Sequence, residues 1–240
     1  MPTQPYKIIP SKDEVAPELL KAIISDLKWW VGKPVRIPGT TTVVGRFKDS
    51  GALLYWANTE GLEGRPIRGP ESTIEKAAEA GTLAHLMVEN DIRGLPEPDL
   101  SKYPKEISDK ATNSFLAYLE WKGQTKLKPV KTELSLISKR WLYGGTLDAV
   151  HVDGKLAILD WKTSGSIYED MLIQVGGGYS LLWKENFPTE PIVGGYHIVR
   201  FSKVEADLAH HTWQELAICE KTFQVMRVLY ELVKQVKDRL

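Results

Sequence analysis

The sequence predicts an α+β protein: a mixed central β-sheet flanked by helices, with helical additions on the N-terminal side. Amphipathic helical runs and apolar strand-like runs occur in the order helix, three strands, helix, strand. The 240 residues, 42% hydrophobic and 26% charged, are those of an ordinary globular chain. No internal repeat or low-complexity segment interrupts the pattern.

The elements follow in order. Ser11-Lys-Asp-Glu14 has the form of a capping box, and Leu19, Leu20, Ile23, Ile24 and Leu27 follow at helical spacing. Pro34 and Pro38 break this helix from what comes next. Thr40 to Val44 reads as extended, and a short helix is expected from about Ser50 through Trp56, before a Gly- and Pro-rich turn from Gly61 to Pro70. From Glu71 to Asp91 the pattern is helical, with Ile74, Ala77, Ala78, Leu83 and Leu86 at three- and four-residue spacing. Gly81 interrupts it, at a cost of about 1 kcal/mol relative to alanine. A turn-rich stretch from Gly94 to Pro104 precedes another amphipathic helix, to about Gly123. Strands are expected near Val130 to Ser138, Trp141 to Val152 and Lys155 to Lys162, then a helix from about Tyr168 to Lys184. Ile192 to Ser202 reads as a strand, Ala206 to Thr212 as a shorter one, and Gln214 to Arg239 as a long closing helix.

Composition excludes several classes. No apolar run reaches the roughly 18 residues of a membrane span, and no signal-peptide pattern opens the chain. The single cysteine, Cys219, rules out an intramolecular disulfide framework and a cysteine-ligated cluster, so a cytoplasmic location is expected. There is no Gly-x-Ser-x-Gly elbow, P-loop lysine motif or CxxC pair. His210 and His211 are adjacent on a strand and face opposite ways, which disfavours a shared ion. Formal net charge is zero, so total charge gives no sign of a nucleic-acid partner. Locally, Lys122, Lys126, Lys128, Lys131, Lys139 and Arg140 cluster with Trp121 and Trp141. That cluster reads equally as a phosphate-binding patch or as a solvated helix end and strand edge.

The chemistry concentrates in the run from Gly144 to Ser164. An acid near the end of one strand, Asp148, is followed by a turn and by a second apolar strand that delivers Asp160-Trp-Lys162. Alternation puts Asp160 and Lys162 on one face and Trp161 on the other. Two carboxylates and one ammonium gathered on one patch are costly unless a divalent cation sits among them. A clean two-residue turn at Asp153-Gly154 would set Asp148 opposite Leu159 and facing away from Asp160. An odd-length loop or a β-bulge between the two acids is therefore required.

Taken together, the chain resembles the PD-(D/E)XK nuclease superfamily, in the branch containing the RecB-type nuclease domain. Within it, the chain is similar to phage-encoded exonucleases related to the CRISPR-associated nucleases. The resemblance is carried by Gly81-Thr-Leu-Ala-His85-Leu-Met-Val-Glu89, Gly145-Thr-Leu-Asp148, Ile158-Leu-Asp160-Trp-Lys162-Thr-Ser164, and Gln174 with Tyr179. Thr41-Thr42 followed by Leu54 and Trp56 resembles the leader of the phage proteins.

The resemblance implies a single nuclease domain over 1–240, with a restriction-endonuclease-like core at 71–240 and an N-terminal helical and extended addition at 1–70. It implies a DNA exonuclease acting in recombination, replication or repair, in the host cytoplasm if phage-encoded. An endonuclease or nickase with the same centre, and a catalytically weak DNA-binding subunit, are the alternatives. Mg2+ or Mn2+ is the implied cofactor, with His85, Asp148, Asp160 and the Trp161 carbonyl as ligands, and Lys162 acting on the attacking water. Glu89 either fixes the His85 ring or is a surface neighbour four residues along the helix. The partners implied are DNA, as ends or single strands, and a second copy or a recombination protein, with no membrane. Gln174 and Tyr179 would contact the DNA backbone, with Lys131 and Arg46 as further contacts.

The chain departs from the family pattern in two places. Four residues, Val-Gly-Gly-Gly, separate Gln174 from Tyr179 where the family has three, which in an α-helix turns Tyr179 away by about 100°. Local widening at the three glycines would restore the alignment. The cysteines that hold an iron–sulfur cluster in many relatives are missing, so no such cluster is expected.

Overall fold

The structure, a computed structural model, describes residues 37–69, 71–125, 132–152, 154–204 and 207–239. The expected capping box and first helix, together with Lys126, Lys128 and Lys131, lie outside the described residues.

The architecture is α+β, a mixed sheet flanked by helices and preceded by N-terminal helices. Helices α1 (Thr40–Gly45), α2 (Gly51–Leu62), α3 (Thr73–Arg93) and α4 (Lys105–Gln124) come first. Strands β1 (Thr132–Ser138), β2 (Tyr143–Val152) and β3 (Lys155–Lys162) follow as an antiparallel meander. A helical crossover, α5 (Glu169–Leu172), a π-helical segment (Ile173–Tyr179) and α6 (Ser180–Asn186), leads to β4 (Gly195–Phe201), parallel to β3. Strand β5 (Leu208–Trp213) pairs antiparallel with β4, and α7 (Ala217–Lys237) closes the chain. No described helix is long and apolar enough to cross a membrane.

Local chemistry accounts for the helix ends. Ser72 caps α3 by accepting the Glu75 N–H at 3.2 Å, and Gly94 ends the helix in the left-handed conformation at φ 66°. One expectation fails here: Thr40 to Val44 is helical, not extended. In a helix Thr40, Val43 and Val44 fall on one side, and all three are buried, so tertiary packing overrides the weak propensity of a β-branched run. Helix α2 also runs on to Leu62, past the expected end near Trp56.

The sheet divides two apolar cores, and alternation along β3 feeds both. Leu156 and Ile158 face the crossover helices with Tyr143, Val175, Leu182 and Phe223. Ala157, Leu159 and Trp161 face α3 and α4, among Leu83, Tyr118, Trp121 and Phe201. Trp161 thus points away from the Asp160 side, and its ring meets Trp121 edge-on with centroids 5.2 Å apart. Three histidine and tryptophan side chains continue this layer. Trp121 Nε1–H donates to His210 Nδ1 at 3.1 Å, and His210 Nε2 lies 2.9 Å from His197 Nδ1. His210 therefore pairs within the core, not with His211.

The β2–β3 turn answers the register question. Val152 pairs with Lys155, so the loop is short, with Gly154 at φ 75°. A register shift between Ala149 and His151 then moves the pairing to Ala149 opposite Leu159. Continued one residue, that register sets Asp148 level with Asp160. Of the two devices expected, an odd-length loop or a bulge, the irregularity within β2 is the one that shifts the register.

Candidate active site

Beyond Ala149 the two strands part, and the first half of β2 instead meets Gly39, in an isolated bridge with Gly144. The Asp148 carboxylate fills the gap: its Oδ2 accepts the Trp161 N–H at 2.8 Å, where a main-chain carbonyl would otherwise serve. An open cleft of about 350 Å3 forms at this point, lined by His85, Asp148, Asp160, Lys162, Gln174 and Lys203 among others.

Asp160 is buried and Asp148 nearly so. Asp160 is 1% exposed, and its Oδ2 receives no well-formed hydrogen bond although the Lys162 ammonium faces it as an ion pair. Gln174 joins the group from the π segment. Its Oε1 accepts from Lys162 Nζ at 3.1 Å, while its Nε2 donates to Asp160 Oδ1 at 3.4 Å and to Tyr179 Oη at 2.6 Å. An ammonium only donates and a carboxylate only accepts, so these partners fix the amide's orientation.

Winding brings Gln174 and Tyr179 together. From Ile173 to Tyr179 the helix closes i→i+5 and so returns residues five apart to one side. The glycines are needed for packing: a Cβ at Gly177 would lie 2.5 Å from the Cys219 carbonyl oxygen and 2.8 Å from Phe223 Cβ. Gly176 and Gly178 are pressed equally close, against Leu216 and Thr40. The widening also puts Gly178 O where Tyr143 Oη donates to it at 2.6 Å.

His85 enters from α3, with Nδ1 3.8 Å from Asp148 Oδ2. Glu89, one turn on, pairs with Arg93 at 2.6 Å. Arg46 is exposed on the turn after α1 and is not among the residues lining the cleft. Lys122 is engaged by Asp91 at 2.6 Å, which removes it from a free basic patch.

The electrostatics follow from burial. Asp148 is pushed well above the usual carboxylate range, first by loss of water and then by the Asp160 charge, against the pull of Lys162 and the Trp161 N–H. Burial works to lower Lys162, but Asp160 and Asp148 outweigh it, and its pKa is raised. Burial also lowers His85, with Asp160 opposing, so the ring is held neutral. Tyr179 is raised by burial and then by both acids.

Among the described residues no group of three His, Cys, Asp or Glu side chains is placed so that it could hold a metal ion. The donor chemistry nonetheless suits a hard divalent cation, with two carboxylates, a main-chain carbonyl and an imidazole at one cleft. Asp148 and Asp160 repel one another under burial, which a cation bound between them would offset.

Sequence reasoning missed two contributors. Glu133 on β1 lies between the pairs Thr132–Ala149 and Leu134–Leu147, hence level with Asp148, and adopts φ 51°. Burial and then the charge of Glu89 raise its carboxyl. Lys203, in the turn after β4, lines the same cleft. Neither sits in a local motif; only the strand pairing and the crossover bring them there.

No protein-family model matches the sequence, and no curated protein matches it. Among solved structures, SSO0001 is similar over 88% of this chain and 84% of its own, at 14% identity and a TM-score of 0.38. A protein of Eubacterium rectale, named "Putative exonuclease", is similar over 72% of this chain and 71% of its own, at 14% identity and a TM-score of 0.43. Both likenesses are distant, and the functional reading below stands on the cleft itself.

Proposed function

We propose that this protein is a divalent-metal-dependent deoxyribonuclease, an exonuclease that hydrolyses phosphodiester bonds at DNA ends. The observation that supports the reading is the meeting of two mutually repelling carboxylates, Asp160 buried and Asp148 nearly so, with the Lys162 ammonium at an open cleft. In this reading Asp148, Asp160, the Trp161 carbonyl and His85 hold Mg2+ or Mn2+. A metal bound there would lower the pKa of a water and draw charge from the phosphate oxygens.

Lys162, kept charged by both acids, serves as a fixed cation beside the attacking water and offsets charge building on the phosphate. It is not a general base, because its proton is held too tightly. Gln174 aligns Lys162 with Asp160 through one amide, and Tyr179 anchors that amide. The neutral His85 ring leaves a nitrogen lone pair for a metal at physiological pH.

The deciding experiment uses end-labelled linear and closed circular DNA with Mg2+, Mn2+ or EDTA. Metal-dependent loss of linear DNA alone supports the exonuclease. Nicked circles would replace it with an endonuclease using the same centre. Absence of turnover with either metal would leave a DNA-binding subunit and overturn the hydrolase reading.

A further inference from the structure

One cation in the cleft, Lys203, meets no acid among the described residues. Its ammonium donates to the Ala77 carbonyl on α3 at 2.8 Å. An ammonium carries three donors, so others are left for the cleft it lines. Burial, and then the charge of Lys110, lower its pKa.

Its position is held by the backbone. Asn113 Nδ2 donates to Lys203 O at 3.2 Å and Ser114 Oγ to Ser202 O at 3.1 Å, both from α4. Ser202 N–H also donates to Asp207 O at 2.8 Å, closing the turn. On the other side, a Cβ at Gly81 would come within 2.8 Å of Thr163 Oγ1 and 3.5 Å of Lys203 Nζ. The bare glycine in mid-helix therefore lets Thr163, just past the end of β3, and Lys203 sit together against α3.

We infer that Lys203 and Thr163 form a seat for a second phosphate of the substrate, beside the one being cut; this rests on the deoxyribonuclease reading. The acids repel a polyanion, and Lys162 is engaged by Asp160 and Gln174, so a phosphate entering the cleft needs another cation. Lys203 supplies a compact charge and Thr163 a hydroxyl donor, on a rigid frame that loses little freedom on binding. The phosphate is either a 5′-terminal one or the next one along the backbone, and the chemistry of the seat is the same for both.

The test is fluorescence-anisotropy binding of short single-stranded oligonucleotides, 5′-phosphorylated or 5′-hydroxyl, in EDTA at several salt concentrations. The proteins are wild type, Lys203→Ala, Lys203→Gln, Lys203→Arg and Thr163→Val, each checked for an unchanged melting temperature. Lys203→Ala and Lys203→Gln are expected to weaken binding roughly tenfold and to lower the salt slope by about one. Lys203→Arg keeps most of the affinity. A loss confined to the phosphorylated oligonucleotide identifies a terminal phosphate, and an equal loss on both identifies an internal one. Unchanged affinity and slope in both neutral variants, with a wild type that cleaves DNA, would overturn the seat and leave the nuclease standing. A wild type that neither binds nor cuts DNA would remove both.

Discussion

Gln174 and Tyr179 stand five residues apart and share a hydrogen bond of 2.6 Å, because the helix between them is π-wound. The insertion that seems to break the pairing in sequence is absorbed by the winding. Gln174→Ala should therefore lower kcat by about 10- to 100-fold while leaving KM nearly unchanged, since it acts through Lys162 and Asp160. Tyr179→Phe removes only the anchoring oxygen and should cost less. An equal loss in both, or a change in KM alone, would contradict the assigned roles.

The three glycines carry the packing side of the same feature. Gly177→Ala forces a methyl group against the Cys219 carbonyl and Phe223, and should destabilise the fold by about 1–3 kcal/mol or more. Urea denaturation reads this directly. A midpoint equal to that of wild type would mean that the close packing of α7 on the π segment is not rigid.

Asp148 links the site to pH-dependent stability. Its folded pKa is raised, so without metal the native state holds this proton more tightly than the unfolded chain does. The stability it contributes is full below the ordinary carboxylate value of about 3.9 and erodes as pH climbs through the raised value. Asp148→Asn, which keeps an acceptor for the Trp161 N–H, should therefore melt higher than wild type in EDTA at pH 7. Mn2+ should raise the melting temperature of wild type and have far less effect on the variant. A variant less stable than wild type in EDTA would refute the buried-charge account.

His85 behaves with the opposite sign. Its pKa is lowered, so the stability gained by a neutral ring is complete above about 6.5 and is lost as pH falls through the folded value. Metal binding should weaken over the same range, because a protonated ring cannot ligate. His85→Ala should lower Mn2+ affinity by about 10- to 100-fold, measured calorimetrically. Affinity that is flat with pH and unaffected by the substitution would exclude His85 as a ligand.

Lys162 gives an alkaline prediction. Held charged by Asp160 and Asp148, it should produce no falling limb in the pH–rate profile until above the ordinary lysine value of about 10.4. Lys162→Ala should lower kcat by about 10²- to 10³-fold at every pH. A limb near neutrality that disappears in this variant would instead make Lys162 a proton-transfer group.

Much of this was legible in the sequence. The continuous apolar run of β3 is buried on both faces, and α3 forms where helical spacing places it, although of Ile74, Ala77, Ala78, Leu83 and Leu86 only Leu83 is buried and Ala80, Ala84, Met87 and Val88 make the packed face instead. The demand for an irregularity between Asp148 and Asp160 follows from strand parity, and β2 meets it within the strand instead of in the loop. What could not be read depends on long-range packing. Thr40, Val43 and Val44 look like a strand until their burial makes a helix of them, and Val-Gly-Gly-Gly gives no local sign of π winding. Glu133 and Lys203 belong to no spacing rule, because only cross-strand register and the crossover connection bring them near the acids.

The parallel pairing of β3 with β4 has a consequence for when this chain becomes competent. Such a pair cannot form until the whole helical connection between its strands exists, and contacts so remote along the chain are slow to close. A nascent chain that ends at β3 already carries His85, both acids and Lys162, yet has neither the Gln174 strut nor the Lys203 wall. On the proposed deoxyribonuclease reading, cutting power should therefore appear late in synthesis, after the polypeptide has passed β4, and not gradually as each residue of the centre is made.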